Sequence, residues 1–525
     1  MKQQNRQGFF KEKITRLHLL SLVGMICFFL VLRWNSFTVP FERDEGEYAY
    51  SAWLMNHHVM PYEHSFLQKP PMIVYLYMAC QYISEDSIVL PRIFASLSLV
   101  LTILLTGTIV ARERNLGVGI SAMWMMPTML SSIALGPFAA NTEMFMLLPL
   151  MLVVFFYVWK RGEQAIPVWL AAGCCTAIAC LFKPIAAPPL LFILVVWAFE
   201  IRKTSRQNSP VLIYALSVAA GTLVTSLLIL SPFLLHDGGR SLRECVLEYN
   251  SVYINSDETG LQSLTFYLDY FWRNWWVIVL LLAWCIIKRP ARWWVYLGLL
   301  AAGLLTIYRM PFGHYYFLLI PFLAIIAAFA LDSIFHQVTM FSKREDSWKR
   351  VLIVAAIVLV LTIPNFDLLT QSPGELIKTA YGDDNPFIEA QVMAKKLQEI
   401  TAPTDRVFIA GSEPEIYYYA KRECSSRFDI IYPLILPTPV AAQYQEETIK
   451  SLEVTPPDVI IFVYSPKSWL LNKNSPRTFN NYIGQLLSAH YTIVGGTLSD
   501  VKEWVASPSE QQRRRCSMIV LKRSS

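Results

Sequence analysis

The chain has 525 residues, of which 54% are hydrophobic and 16% charged, with a formal net charge of +6. Soluble globular domains carry about 25% charged residues, so an ordinary soluble protein is excluded. The basic surplus follows the loops of a membrane topology, set out below, and gives no reason to propose a nucleic-acid partner.

In chain order, a basic arm with Lys2, Arg6, Lys11 and Lys13 leads into an apolar run at 17–34. The run lacks a small-residue cleavage site and continues into Arg33-Trp34, so it reads as a retained signal anchor. A bilayer core needs roughly 20 apolar residues of helix to cross it, and only helix satisfies the backbone there without an open edge. Further runs at 87–110, 116–135, 142–159, 165–182, 185–201, 210–233, 265–287, 292–308, 314–334 and 351–370 bring the expectation to about eleven spans. Met72 to Ile83 is apolar but short, and reads as a helix at the interface or buried under others.

With the N-terminus in the cytoplasm, the segments 111–115, 160–164, 202–209, 288–291 and 335–350 are cytoplasmic. They hold Arg112, Arg114, Lys160, Arg161, Arg202, Lys203, Arg206, Lys288, Arg289, Lys343, Arg344, Lys349 and Arg350. The longer opposite loops hold only Arg43, Lys69, Lys183, Arg240, Arg243 and Arg309 before residue 371. This is the positive-inside bias. The expected class is an α-helical polytopic membrane protein, spanning at 1–370 with a first outer loop at 35–86. A soluble, extracytoplasmic α/β domain follows at 371–525. There, 406–411, 458–464 and 517–521 read as strands, and 386–400, 414–421 and 476–489 as helices. Cys424 and Cys516 share that domain, where a disulfide between them is open but not fixed by the sequence.

Two outer regions are large enough for chemistry, 35–86 and 236–264. The first opens Phe41-Glu42-Arg43-Asp44-Glu45-Gly46-Glu47-Tyr48. Asp44 and Glu47 at the start of a helical pattern have the spacing of a capping box. The same Asp44 is equally placed to accept a proton from a hydroxyl at the membrane surface. Lys69 precedes Pro70-Pro71, which favours an extended residue before a helix start. It reads either as a solvated loop lysine or as a cation for a phosphate. Lys183-Pro184 repeats the pattern at a short turn, where a lysine needs an anionic partner. Glu143 lies at the outer end of a span, and Arg309 and His314 in the turn 308–316. Acids and bases gathered on one face point to a site there rather than a conduction path. His57, His58, Glu63 and His64 crowd one loop, but their spacing matches no standard zinc pattern. No cofactor is required, and a divalent metal is unsupported.

The ordered set Asp44-Glu45, Lys69-Pro70-Pro71, Asn141-Thr142-Glu143, Lys183-Pro184 and His314-Tyr315 resembles the GT-C membrane glycosyltransferases. It is most similar to the protein O-mannosyltransferase and lipid A aminoarabinose-transferase group. The segment 413–419 with Pro456-Pro457-Asp458 is similar to the C-terminal domain of some bacterial members. The resemblance implies a sugar donor on a polyprenyl phosphate, bound from the membrane, and transfer with inversion to an acceptor glycolipid, glycan or protein on the outer face. By position it implies Asp44, Glu45 and Glu143 as the catalytic carboxylates. Lys69, Arg309 and Lys183 would hold the donor phosphate, and Arg43, Tyr48, His314 and Tyr315 would line the site. Glu143 stands where many members have Asp, and the oligosaccharyltransferase signature Trp-Trp-Asp-Tyr-Gly is absent. The competing readings are a transporter or flippase of a lipid-linked sugar, for which no inverted repeat is seen, and a non-catalytic anchor for the outer domain. The absence of G-x-G-x-x-G, a P-loop or a cytoplasmic Asp-x-Asp weakens a nucleotide-sugar donor.

Overall fold

A computed structural model describes residues 15–161, 165–204, 210–235, 238–256, 260–308, 312–341 and 347–524. Where the sequence suggests a boundary at 370/371, contacts divide the chain into two compact units, one of them discontinuous. The first holds residues 1–37, 92–229 and 259–371; the second holds 38–91, 230–258 and 372–525.

The first unit is helical, and every expected span falls on an apolar helix. Among the described residues, seven helices are long and apolar enough to cross a membrane, or eight if one bent pair is counted as a single span. The chain is a multi-pass membrane protein. Of the eleven expected spans, seven fall on these long helices, one on the bent pair and three on shorter apolar helices. Leu116–Leu130, Ile166–Phe182 and Trp293–Ile307 are apolar but only 15, 17 and 15 residues long. At 1.5 Å per residue they fall short of the bilayer core. Leu116–Leu130 compensates by burial, since it packs against helices Arg16–Arg33, Ile320–Phe341 and Ser347–Thr362. The span Gly313–Gln337 is likewise 83% covered by protein, whereas Val211–Leu235 is 11% covered and keeps its apolar surface for lipid.

The expected straight span 265–287 is also corrected. Helices Leu264–Asn274 and Trp276–Lys288 meet at a bend of 94°. The first half carries Asp269, Arg273 and Asn274, and Arg273 Nε bonds Asp269 at 2.8 Å on an exposed face. Such charges are costly in hydrocarbon, so this half does not continue the apolar helix. At the bend the Phe271 and Trp275 rings stack at 4.8 Å. Several arginines that set the topology are paired rather than merely solvated. Arg161 bonds Glu113, Arg114 lies 3.7 Å from Asp332, and Arg350 lies 3.8 Å from the same carboxylate.

In the second unit the C-terminal segment forms β1 (Val407–Ala410), β2 (Val459–Val463), β3 (Tyr491–Leu498), β4 (Trp504–Ala506) and β5 (Cys516–Arg523). The sheet order is β1-β2-β5-β3-β4. Only β1 and β2 are parallel, in the register Val407↔Val459, and β1 is buried throughout, as parallel strands are. The expected strands correspond to β1, β2 and β5; the expected helices to Phe387–Ile400, Glu415–Ala420 and Thr478–His490. Strand β3 is unforeseen, and it carries Gly495-Gly496, a pair that weakens a strand pattern. A Cβ on Gly495 would lie 2.0 Å from the Trp504 ring, so the cross-strand indole takes the place of a side chain. Cys424 and Cys516 are both free. The Cys424 thiol donates to the Tyr417 hydroxyl oxygen at 3.2 Å, and Cys516 Sγ donates to Gln512 O at 3.3 Å.

Candidate functional site

Helix Arg43–Asn56 begins with Glu42 as its N-cap. The Glu42 carboxylate accepts the backbone N–H groups of Asp44 and Glu45 at 3.1 and 3.2 Å. The capping-box reading of Asp44 and Glu47 is thereby overturned. The cap is taken two residues earlier, and both carboxylates turn elsewhere. Three residues apart, they lie on one helical face, and that face meets Lys69. The Lys69 ammonium lies 2.9 Å from Asp44 Oδ1 and 3.2 Å from Glu47 Oε2. It also lies 5.8 Å from the Tyr48 ring centroid. Asp44 keeps 22% of its side chain exposed and Glu47 only 3%. Burial pushes Glu47 up to about 8, against the pull of Lys69 and helped by the nearby charges of Asp44 and Asp429. A protonated Glu47 leaves Asp44 as the more exposed counter-charge of the lysine.

The loop that carries Lys69 is gripped at three points. Phe66 N–H donates to Asp429 Oδ1 at 2.8 Å. Asn250 Nδ2 donates to the Gln68 carbonyl at 2.8 Å. The Tyr62 hydroxyl donates to the Lys69 carbonyl at 2.8 Å. Asp429 is 1% exposed, and burial raises it to about 7 although the Phe66 N–H and Lys69 lower it.

Arg43, expected to line the site, is consumed by structure. Its guanidinium donates to Ser412 O at 2.7 Å, Asn385 Oδ1 at 2.6 Å and Glu413 Oε1 at 2.8 Å. It also lies over Phe387 and Tyr432. Burial works against its charge, but Tyr432, Glu413 and Glu415 around it hold it firmly protonated. Glu45 is fully buried and faces Tyr77, whose hydroxyl is 3.5 Å away, rather than Lys69. Helix Glu415–Ala420 packs against helix Arg43–Asn56 through Gly46, where a Cβ would fall 2.5 Å from Glu415 N. Glu415 is fully buried with neither carboxyl oxygen hydrogen-bonded, and burial lifts it well above the usual carboxylate range.

A second cluster lies in the helical unit. Glu143, in the first turn of helix Thr142–Lys160, is fully buried and accepts from Thr142 Oγ1 at 3.0 Å. It bonds the Lys183 ammonium and lies 3.7 Å from His314 Nε2. Lys183 Nζ sits 3.8 Å above the Tyr315 ring. Extended backbone at Lys183 ends helix Ile166–Phe182 and turns the side chain inward. The tight start of the 313–319 turn is enforced at Gly313, where a Cβ would meet the Ala134 carbonyl at 2.2 Å. Lys183 thus has the anionic partner its position demands. Arg309 lies outside the described residues.

Each cluster joins residues that sequence order alone sets far apart. Sequence reasoning missed Glu47 as a ligand of Lys69, although its spacing from Asp44 was a usable signal. It also missed Asp429, for which no local signal exists. Among the described residues no group of three or more His, Cys, Asp or Glu is placed to hold a metal. His57 donates from Nδ1 to the Trp53 carbonyl at 2.9 Å.

The architecture is the GT-C glycosyltransferase fold, with its small C-terminal sheet domain. Two structures of the transferase ArnT from Cupriavidus metallidurans match nearly end to end. The one bound to undecaprenyl phosphate gives a TM-score of 0.61 at 11% identity, covering 97% of this chain and 98% of that one. The apo structure gives 0.59 at 13%, covering 96% and 97%. The apo oligosaccharyltransferase of Archaeoglobus fulgidus gives 0.51 at 12%, covering 96% of this chain and 81% of that one. At these identities the likeness is one of fold. No family model matches the sequence, and no curated protein matches it.

Proposed function

We propose that this protein is a glycosyltransferase that moves a sugar from a polyprenyl-phosphate donor to an acceptor at the outer face of the membrane, with inversion at the sugar carbon. The observation that supports this reading most is the Asp44–Lys69 pair at 2.9 Å, built at a helix start within a GT-C fold. The ArnT neighbour is bound to undecaprenyl phosphate, and the same lipid class is proposed here as donor carrier. The N-terminus is assigned to the cytoplasm and the sheet domain to the outer side, from the distribution of basic loops.

The chemistry follows from the charges. The acceptor hydroxyl oxygen attacks the anomeric carbon while its proton passes to Asp44, a general-base contribution of about 10²–10⁴-fold. The bond from that carbon to the phosphate oxygen breaks, and the polyprenyl phosphate leaves with the electron pair. Negative charge grows on the leaving phosphate, and a fixed cation there stabilises the transition state more than in water. Lys69 is assigned that role. Lys183, whose charge is met by Glu143 and the Tyr315 ring, is assigned to hold its turn in shape beside His314.

Mass spectrometry of envelope glycolipids and glycans from a strain lacking the gene tests the reading. Loss of one sugar-bearing species is expected. An unchanged envelope profile would contradict it.

A further inference from the structure

The proposed chemistry needs Lys69 in one place, yet Lys69 is on a loop. Of the contacts that fix the loop, the most extensive come from the tripeptide Arg427-Phe428-Asp429. Asp429 Oδ1 accepts the Phe66 N–H at 2.8 Å, three residues before the lysine. The Phe66 ring stacks on Phe428 at 4.9 Å and meets Tyr444 edge-on at 5.3 Å and Tyr249 at 5.1 Å. The Arg427 guanidinium lies 5.3 Å from the same ring, and is itself pinned by Glu244 at 2.7 Å and Glu447 at 2.6 Å. A loop held this way presents its lysine with little freedom to lose on binding.

We infer that Asp429 is a positioning residue for Lys69: by accepting the Phe66 N–H it sets where the ammonium meets the donor phosphate. The inference rests on the proposed role of Lys69. A carboxylate that only stitched the unit together would affect stability alone. A positioning residue affects the affinity for a phosphate that Asp429 never touches.

The test measures binding of undecaprenyl phosphate to the purified full-length protein in lipid nanodiscs, with the thermal midpoint recorded alongside. Lys69→Ala and Asp429→Leu are each expected to weaken binding roughly tenfold, the scale of one lost buried hydrogen bond to a charged group. Asp429→Asn keeps an acceptor oxygen for Phe66 and is expected within about twofold of wild type. Asn250→Ala, which releases the Gln68 carbonyl, is expected to shift affinity in the same direction as Asp429→Leu and serves if the leucine variant does not fold. Wild-type affinity in Asp429→Leu and Asn250→Ala, with Lys69→Ala weakened, overturns this inference and leaves the transferase reading standing. An Asn variant as weak as the Leu variant also overturns it, since the tether then is not the hydrogen bond. Wild-type affinity in Lys69→Ala overturns the assignment of the phosphate to Lys69, and this inference with it.

Discussion

Lys69 Nζ lies 2.9 Å from Asp44 Oδ1, with Glu47 Oε2 at 3.2 Å completing the contact. The helix that carries both acids takes its N-cap from the Glu42 carboxylate, not from Asp44. This separation of roles makes the site testable, because a change at Asp44 need not unmake the helix.

The buried pair Glu143–Lys183 gives a stability prediction. Removing one partner of a buried ion pair costs about 3–5 kcal/mol, because the other charge is left uncompensated. Lys183→Met alone should therefore lower the unfolding midpoint sharply. The double variant Glu143→Gln/Lys183→Met should recover much of the loss. A double-mutant cycle in detergent checks it; additive losses would contradict the pairing.

Two glycines should respond oppositely to alanine. At Gly46 a Cβ would press on the Glu415 backbone at 2.5 Å, and overpacking of this kind costs about 1–3 kcal/mol. At Gly484, in helix Thr478–His490, a Cβ meets nothing within 4 Å. Alanine there should stabilise by about 0.5–1 kcal/mol through helix propensity. Thermal midpoints of the two single variants decide the matter; a stabilised Gly46→Ala would refute the close approach.

The buried acids give a pH dependence. Burial holds Glu47 near 8 and Asp429 near 7 in the folded protein, whereas both titrate near 4 when unfolded. Between those values the folded state binds more protons than the unfolded one, so stability falls as pH rises. The midpoint is expected to drop steadily from pH 5 to pH 8. Glu47→Gln, which cannot ionise beside Asp44 and Asp429, should flatten the slope. A midpoint that rises over that window would contradict the assignment.

Much of the membrane architecture is legible in the sequence because contiguous apolar runs and short basic loops are strong, local signals. The strands β1, β2 and β5 are legible for the same reason. What escapes is decided by contacts at long range or by a single residue. The bend at Trp275 interrupts a run whose first half already carries Asp269 and Arg273. Glu42 and Asp44 are both plausible caps, and only the backbone chooses between them. Asp429 meets Phe66 across 363 residues of chain, and no periodicity announces such a contact. Of the candidate site, Asp44 meets Lys69, and Glu143 meets Lys183 and His314. Arg43 and Glu45 instead serve the packing around them.

The central claim concerns Asp44 as the group that takes the acceptor's proton. Purified protein is reconstituted in lipid with a radiolabelled polyprenyl-phosphate sugar and an envelope acceptor extract, and transfer by wild type is compared with Asp44→Asn. The account predicts transfer by the wild type and a loss of about 10²–10⁴-fold in the variant, with the variant still folded by its thermal transition. Full transfer by a folded Asp44→Asn protein would contradict it.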